Sequence, residues 1–195
     1  MVRVSKAVTT TLFALFPERW NQFSKKFETG AADYIGKRWA KTLDAYPQME
    51  KAVFLDSLMP SEPDGFPASY RRFIKVGLQL SDQVGNLFEL CFEKGYEKVI
   101  FAETICAALP DDFPAQFLDA LDNQDMAFLP AGDGSVLMAG MKIKDFRNWD
   151  FFQFHEAAAI VEILSICNEN QLTYKLFEPY DIPSAENLFR KELRS

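Results

Sequence analysis

GYEKVIFAETICAALPDDFPAQFLDALDNQDMAFLPAGDGSVLMAG, residues 95–140, decides the fold. Residues 98–102 (KVIFA) form a short apolar run of the kind that fills a buried strand. Phe113, Phe117, Leu118 and Leu121 then recur at three- and four-residue steps, which predicts a helix. Residues 126–129 (MAFL) and 136–141 (VLMAGM) read as two more strands. They are joined by Pro130, Ala131, Gly132, Asp133, Gly134 and Ser135.

The pattern extends in both directions. Before Gly95, the residues Leu80, Val84, Leu87, Phe88 and Cys91 mark one face of a helix, and Gly95 closes it. Residues 52–55 (AVFL) and 73–76 (FIKV) are strand candidates, separated by a loop carrying Pro60, Pro63, Gly65 and Pro67. From Pro17 to Pro47 the pattern is helical, through Trp20, Phe23, Phe27, Tyr34, Ile35, Trp39 and Leu43, with a break near Thr29 and Gly30. Residues 2–5 are a brief first-strand candidate, and Thr9, Thr10 and Thr11 are expected to cap the helix that follows. Beyond the quoted stretch, Ile160, Ile163, Leu164 and Cys167 share a helical face. Residues 172–177 (LTYKLF) are strand-like, and 185–193 form a last helix. Alternating strands and helices predict a three-layer α/β fold, a mainly parallel sheet with helices on both faces, in one domain over residues 1–195.

Composition narrows the function classes. The 195 residues are 48% hydrophobic and 14% aromatic, enough for a real core, and the net charge is −7. An acidic surface repels a phosphate backbone, so no nucleic-acid partner is expected. No apolar run reaches membrane-spanning length, so no membrane partner is expected either. The N-terminal LFALF has a basic start before it, but it is short and no small-residue cleavage site follows, which argues against a signal peptide. Cys91, Cys106 and Cys167 are odd in number and widely spaced, the usage of a reducing cytoplasm.

In open α/β sheets ligands lie at the carboxyl ends of strands. The residues following the predicted strands are Lys6, Asp56, Glu103 with Thr104, Ala131 to Gly134, and the stretch from Glu178 to Asp181. Asp133, between glycines, suits a metal or a hydroxyl group, but Asp-Gly is also a strong hairpin signal. Glu103 suits a metal or ribose hydroxyl, although a lone acid at such a place is more often a helix cap or a satisfied surface carboxylate. Together Glu103 and Asp133 are a candidate pair for Mg²⁺, which takes one or two carboxylates plus phosphate oxygens. His155, the one histidine, is a candidate general base or a helix-end residue. Lys6 is a candidate phosphate contact. The chain has no glycine-rich phosphate loop, nucleophile elbow or histidine pair for zinc.

From Leu78 to Leu188 the chain resembles a bacterial glycosyltransferase-like family of the nucleotide-diphospho-sugar transferase (GT-A) fold, formerly a domain of unknown function. Some members are named for arsenosugar biosynthesis. The family's Gly-Pro-Ala-x-Asp-Gly-Gly-Tyr-Tyr-Leu is matched by Pro130, Ala131, Asp133 and Gly134, with Ser135 and Val136 as departures. Its Gly-Asp-Leu-Gly-Glu-Arg-Met-x-Asn-Ala-Phe is matched by Leu80, Asn86 and Phe88, with Gln83 for the arginine. Its Asp-x-Asp-Thr-x-x-Asp-Leu keeps Asp181 and Leu188, with Pro183 for the second aspartate. Lys6 is set against the lysine of Phe-Ala-Lys-x-Pro. Ala102-Glu103-Thr104-Ile105-Cys106 stands where Gly-Ser-Asp-Cys-Pro is expected, and Phe154-His155-Glu156 replaces Trp-Ser-Thr.

The resemblance implies a Rossmann-like fold and a nucleotide-diphospho-sugar donor acting on an unknown acceptor. Lys6, Asn86, Glu103, Thr104, Ala131 and Gly134 would lie at the donor, with Asp133, Asp181 and His155 as catalytic candidates. Mg²⁺ or Mn²⁺ would sit with Glu103 and Asp133. The missing residues raise two alternatives: a non-catalytic nucleotide- or protein-binding scaffold, and a nucleotidyltransferase of the same fold.

Overall fold

A strand in the middle of a parallel sheet is covered on both faces, so its sequence need not alternate. TLFALF is such a strand. In the computed structural model, which describes residues 11–16, 31–56, 65–142, 154 and 156–181, it forms β1 (Thr11–Phe16), and all six residues are buried. Thr11 therefore opens a strand and does not cap a helix. The expected strand over residues 2–5 lies outside the described residues, as do Lys6 and the expected helix over 185–193.

The remaining strands are β2 (Met49–Leu55), β3 (Arg71–Ile74), β4 (Lys98–Glu103), β5 (Met126–Pro130), β6 (Val136–Met141) and β7 (Tyr174–Leu176). The helices are α1 (Ala31–Asp44), α2 (Leu80–Glu93), α3 (Phe113–Asn123) and α4 (Ala159–Glu169), with a 3₁₀ turn over Thr104–Ala108. The seven strands lie in the order β3-β2-β1-β4-β6-β5-β7. All neighbours pair in parallel except at β6, which is antiparallel to both β4 and β5. The expected mainly parallel α/β sheet is thus present.

Side-chain alternation divides the core into two layers. Leu12, Ala14 and Phe16 of β1 join Phe54, Phe101 and Phe128 beneath α2 and α4. Phe13 and Leu15 join Val53, Ile100 and Ala102 beneath α1 and α3. Helices therefore cover both faces. The first layer is strongly aromatic: Phe16 lies 5.5 Å from Phe101 and 6.1 Å from Phe54, and Phe54 lies 5.1 Å from Phe73.

The chain leaves β1 to reach β2 on one side and, later, β4 on the other. That reversal is the topological switch point, and the crevice outside the carboxyl ends of β1 and β4 is where ligands bind in open α/β sheets. Phe16 and Glu103 are register partners at that point. Thr42 of α1 donates to the Asp111 carboxylate, and Arg38 pairs with it at 2.7 Å, tying the segment after the 3₁₀ turn to α1.

Candidate functional site at the carboxyl ends of the strands

Two clusters occupy this end of the sheet. The first surrounds the turn between β5 and β6. Gly134 takes a φ of +83°, open to glycine and strained for other residues. Asp133 Oδ1 accepts the backbone N–H of Ser135 at 2.9 Å and its hydroxyl at 2.7 Å. The turn proposed from Asp-Gly is present, and part of the Asp133 carboxylate is spent in holding it. Gly134 N–H donates to the Ala131 carbonyl at 2.9 Å.

Two later segments dock onto this turn. The N–H of Tyr180 donates to the Pro130 carbonyl at 2.9 Å, which brings Asp181 beside Gly132. The N–H groups of Ala158 and Ile160 donate to the carbonyls of Asp133 and Gly134, at 2.8 and 3.0 Å. The first turn of α4 is therefore capped by hairpin backbone. Ala131, Asp133, Gly134 and Asp181 all meet here. Ala158 has a φ of 64°, a left-handed conformation that costs an alanine about 1 kcal/mol. Ala158→Gly is expected to raise stability by about 0.5–1 kcal/mol, read from the urea midpoint at constant m. An unchanged or lowered midpoint would contradict that strain.

The second cluster lies at the ends of β1 to β4. Glu103, last in β4, is 1% exposed. By alternation it shares the face of Phe101. Thr104 is also buried, and its carbonyl accepts the indole N–H of Trp39 at 2.8 Å. Beyond β3, Lys75 lies with its Nζ 4.4 Å from the centre of the Phe16 ring and 3.2 Å from Asp56 Oδ1. The Lys75 side chain is 2% exposed and that of Asp56 60%. Sequence reading named Asp56 only by position and missed Lys75, which looked like one polar residue in a short strand. The signal available was a lysine in an otherwise apolar run that ends a parallel strand.

The other sequence candidates fall elsewhere. Asn86 lies on α2, where its side-chain amide donates to the Val76 carbonyl at 2.8 Å and holds the β3–α2 connection. Lys6 and His155 are outside the described residues.

Among the described residues no cluster would hold a divalent cation by protein ligands alone. Asp133 Oδ1 already accepts two hydrogen bonds, Asp56 is paired with an ammonium, and no group of three or more His, Cys, Asp or Glu suited to a metal occurs among the described residues. Thiol chemistry is also unfavourable. Burial pushes the Cys91 and Cys167 thiols up to about 12, so neither is ionised near neutral pH. None of the three cysteines is disulfide-bonded. No helix among the described residues is long and apolar enough to cross a membrane.

No protein-family model matches the sequence, and no curated protein matches it by sequence. Solved structures do match. A candidate nucleotide-diphospho-sugar transferase from Desulfovibrio desulfuricans G20 superposes with a TM-score of 0.77 at 15% identity, covering 95% of this chain and 89% of that one. A 4-diphosphocytidyl-2C-methyl-D-erythritol synthase gives 0.61 at 13% identity, over 94% and 97%. A CMP:2-keto-3-deoxy-manno-octonic acid synthetase complexed with CTP gives 0.56 at 8% identity, over 95% and 98%. At such identities likeness speaks for the fold alone, and it agrees with the strand order: this chain has the α/β fold of the nucleotide-diphospho-sugar transferases.

Proposed function

We propose that this chain is a transferase that binds a nucleotide-diphospho-sugar over the carboxyl ends of β1 and β4 and passes the sugar to an acceptor near the β5–β6 turn. The observation that carries this reading is the convergence of charged groups at the switch point. Asp56, Lys75 and Glu103 stand at the carboxyl ends of the parallel strands β2, β3 and β4, and Asp133 and Asp181 stand at the same end of the sheet across β6. Asp133, the acid of the β5–β6 turn, is the group suited to an acceptor or sugar hydroxyl.

Calorimetry against UDP-, GDP-, CDP- and dTDP-sugars tests the donor, and saturable binding of one of them is expected. Failure of the whole panel would leave a scaffold as the better reading. Pyrophosphate release from a nucleoside triphosphate would move the assignment to nucleotidyl transfer.

Asp133→Asn separates chemistry from architecture. The amide oxygen still accepts from Ser135, so the melting temperature should hardly move. Transfer should fall at least about tenfold, the scale of one lost charge-assisted contact. Unchanged transfer would make Asp133 a turn residue only.

A further inference from the structure

The aromatic layer under α2 and α4 ends abruptly in charge. Phe73, Phe54, Phe16 and Phe101 lie side by side on four adjacent strands. One step on, or one alternation on, come Lys75, Asp56 and Glu103. Burying an ammonium costs several kcal/mol unless partners offset it. Here the Phe16 ring lies beneath Lys75 and the Asp56 carboxylate beside it. The exposures are unequal: 2% for the lysine side chain and 60% for the aspartate. The carboxylate thus reaches solvent while the cation beside it does not. An anion taking the carboxylate's place would meet an ammonium in a low-dielectric setting, where the attraction is strong.

We infer that Lys75 is the built-in cation that holds the diphosphate of the donor, with Asp56 as its resident competitor, and that binding here needs no divalent metal. The inference rests on the nucleotide-donor reading and adds how the charge of the donor is met. The ammonium, 3.2 Å from the Asp56 carboxylate, already balances that charge, and its repulsion disfavours a second cation there. Lys75 is also fixed at its backbone, because its N–H donates to the Leu55 carbonyl at 2.9 Å. The charge is thus held in place before the ligand arrives.

Titration calorimetry with inorganic pyrophosphate, with the four nucleotide-sugars and with CTP, each in EDTA and in Mn²⁺, tests this. The expected Kd in EDTA is within about twofold of that in Mn²⁺. Lys75→Met should weaken binding at least about tenfold, and Lys75→Arg should restore part of it. Asp56→Asn should tighten binding about three- to tenfold by removing the competitor. That variant changes an exposed side chain, so it tests the inference even if Lys75→Met fails to fold. Nucleotide binding that requires Mn²⁺, or that Asp56→Asn weakens or leaves unchanged, would overturn the inference and spare the donor reading. Pyrophosphate binding that depends on Lys75 without nucleotide binding would keep the anion site and overturn the donor reading. No binding of any probe would overturn both.

Discussion

Trp39→Ala is expected to destabilise the protein by about 3–5 kcal/mol, the range for removing a large aromatic from a closed core. Trp39 is 2% exposed on the inner face of α1, and its ring lies 5.4 Å from that of Phe13 on the central strand. Its indole N–H also donates to the Thr104 carbonyl, directly after β4. The substitution therefore opens a cavity between helix and sheet and leaves a buried carbonyl without its donor. Trp39→Phe isolates the second effect and should cost about 1–3 kcal/mol. Urea unfolding of the two variants gives both numbers. A Trp39→Ala loss below about 1.5 kcal/mol would mean that α1 relaxes onto the sheet. Because the hydrogen bond anchors the end of β4, nucleotide affinity should fall in both variants.

Gly134→Ala is expected to cost about 3 kcal/mol or more, and to abolish transfer with it. Two effects add. At a φ of +83° an alanine is strained by about 1–2 kcal/mol. Its Cβ would also lie 2.8 Å from Ala158 Cα and 2.9 Å from Ala158 N. Both are backbone atoms, so no rotamer change gives relief. Hairpin and α4 must separate, straining the bonds from Ala158 and Ile160 to the hairpin carbonyls. Adding Ala158→Gly should not rescue the variant, since the collision is with backbone and not with the alanine methyl group. Rescue in the double variant would show that the two segments are not rigidly docked.

Much of this architecture was legible in local sequence. The strands at KVIFA, MAFL and VLMAGM, and the helices through Phe117 and Val84, follow from periodicity and apolar runs. The Asp133-Gly134 turn follows from glycine freedom and aspartate capping, both properties of a few adjacent residues. LFALF was not legible as a strand. A short continuous apolar run has no period to separate a buried strand from other apolar segments. Only its position, paired with β2 on one side and β4 on the other, identifies it.

The site divides in the same way. Sequence alone marked Glu103, Asp133 and Asp181 as acids after strands or within a matched motif. It had no means of showing that Asp181 meets Gly132, because the parallel bridge between Ala131 and Tyr180 joins residues far apart in the chain. Nor could it show Lys75 lying over Phe16 beside Asp56, since the three residues lie at or just beyond the ends of three different strands. Local sequence determines where the chain is extended, where it coils and where it turns, because those choices rest on neighbouring side chains and backbone torsions. Which charges share a crevice was decided by the order and register of the strands, a balance of long-range pairing and burial that appears only when the sheet is assembled.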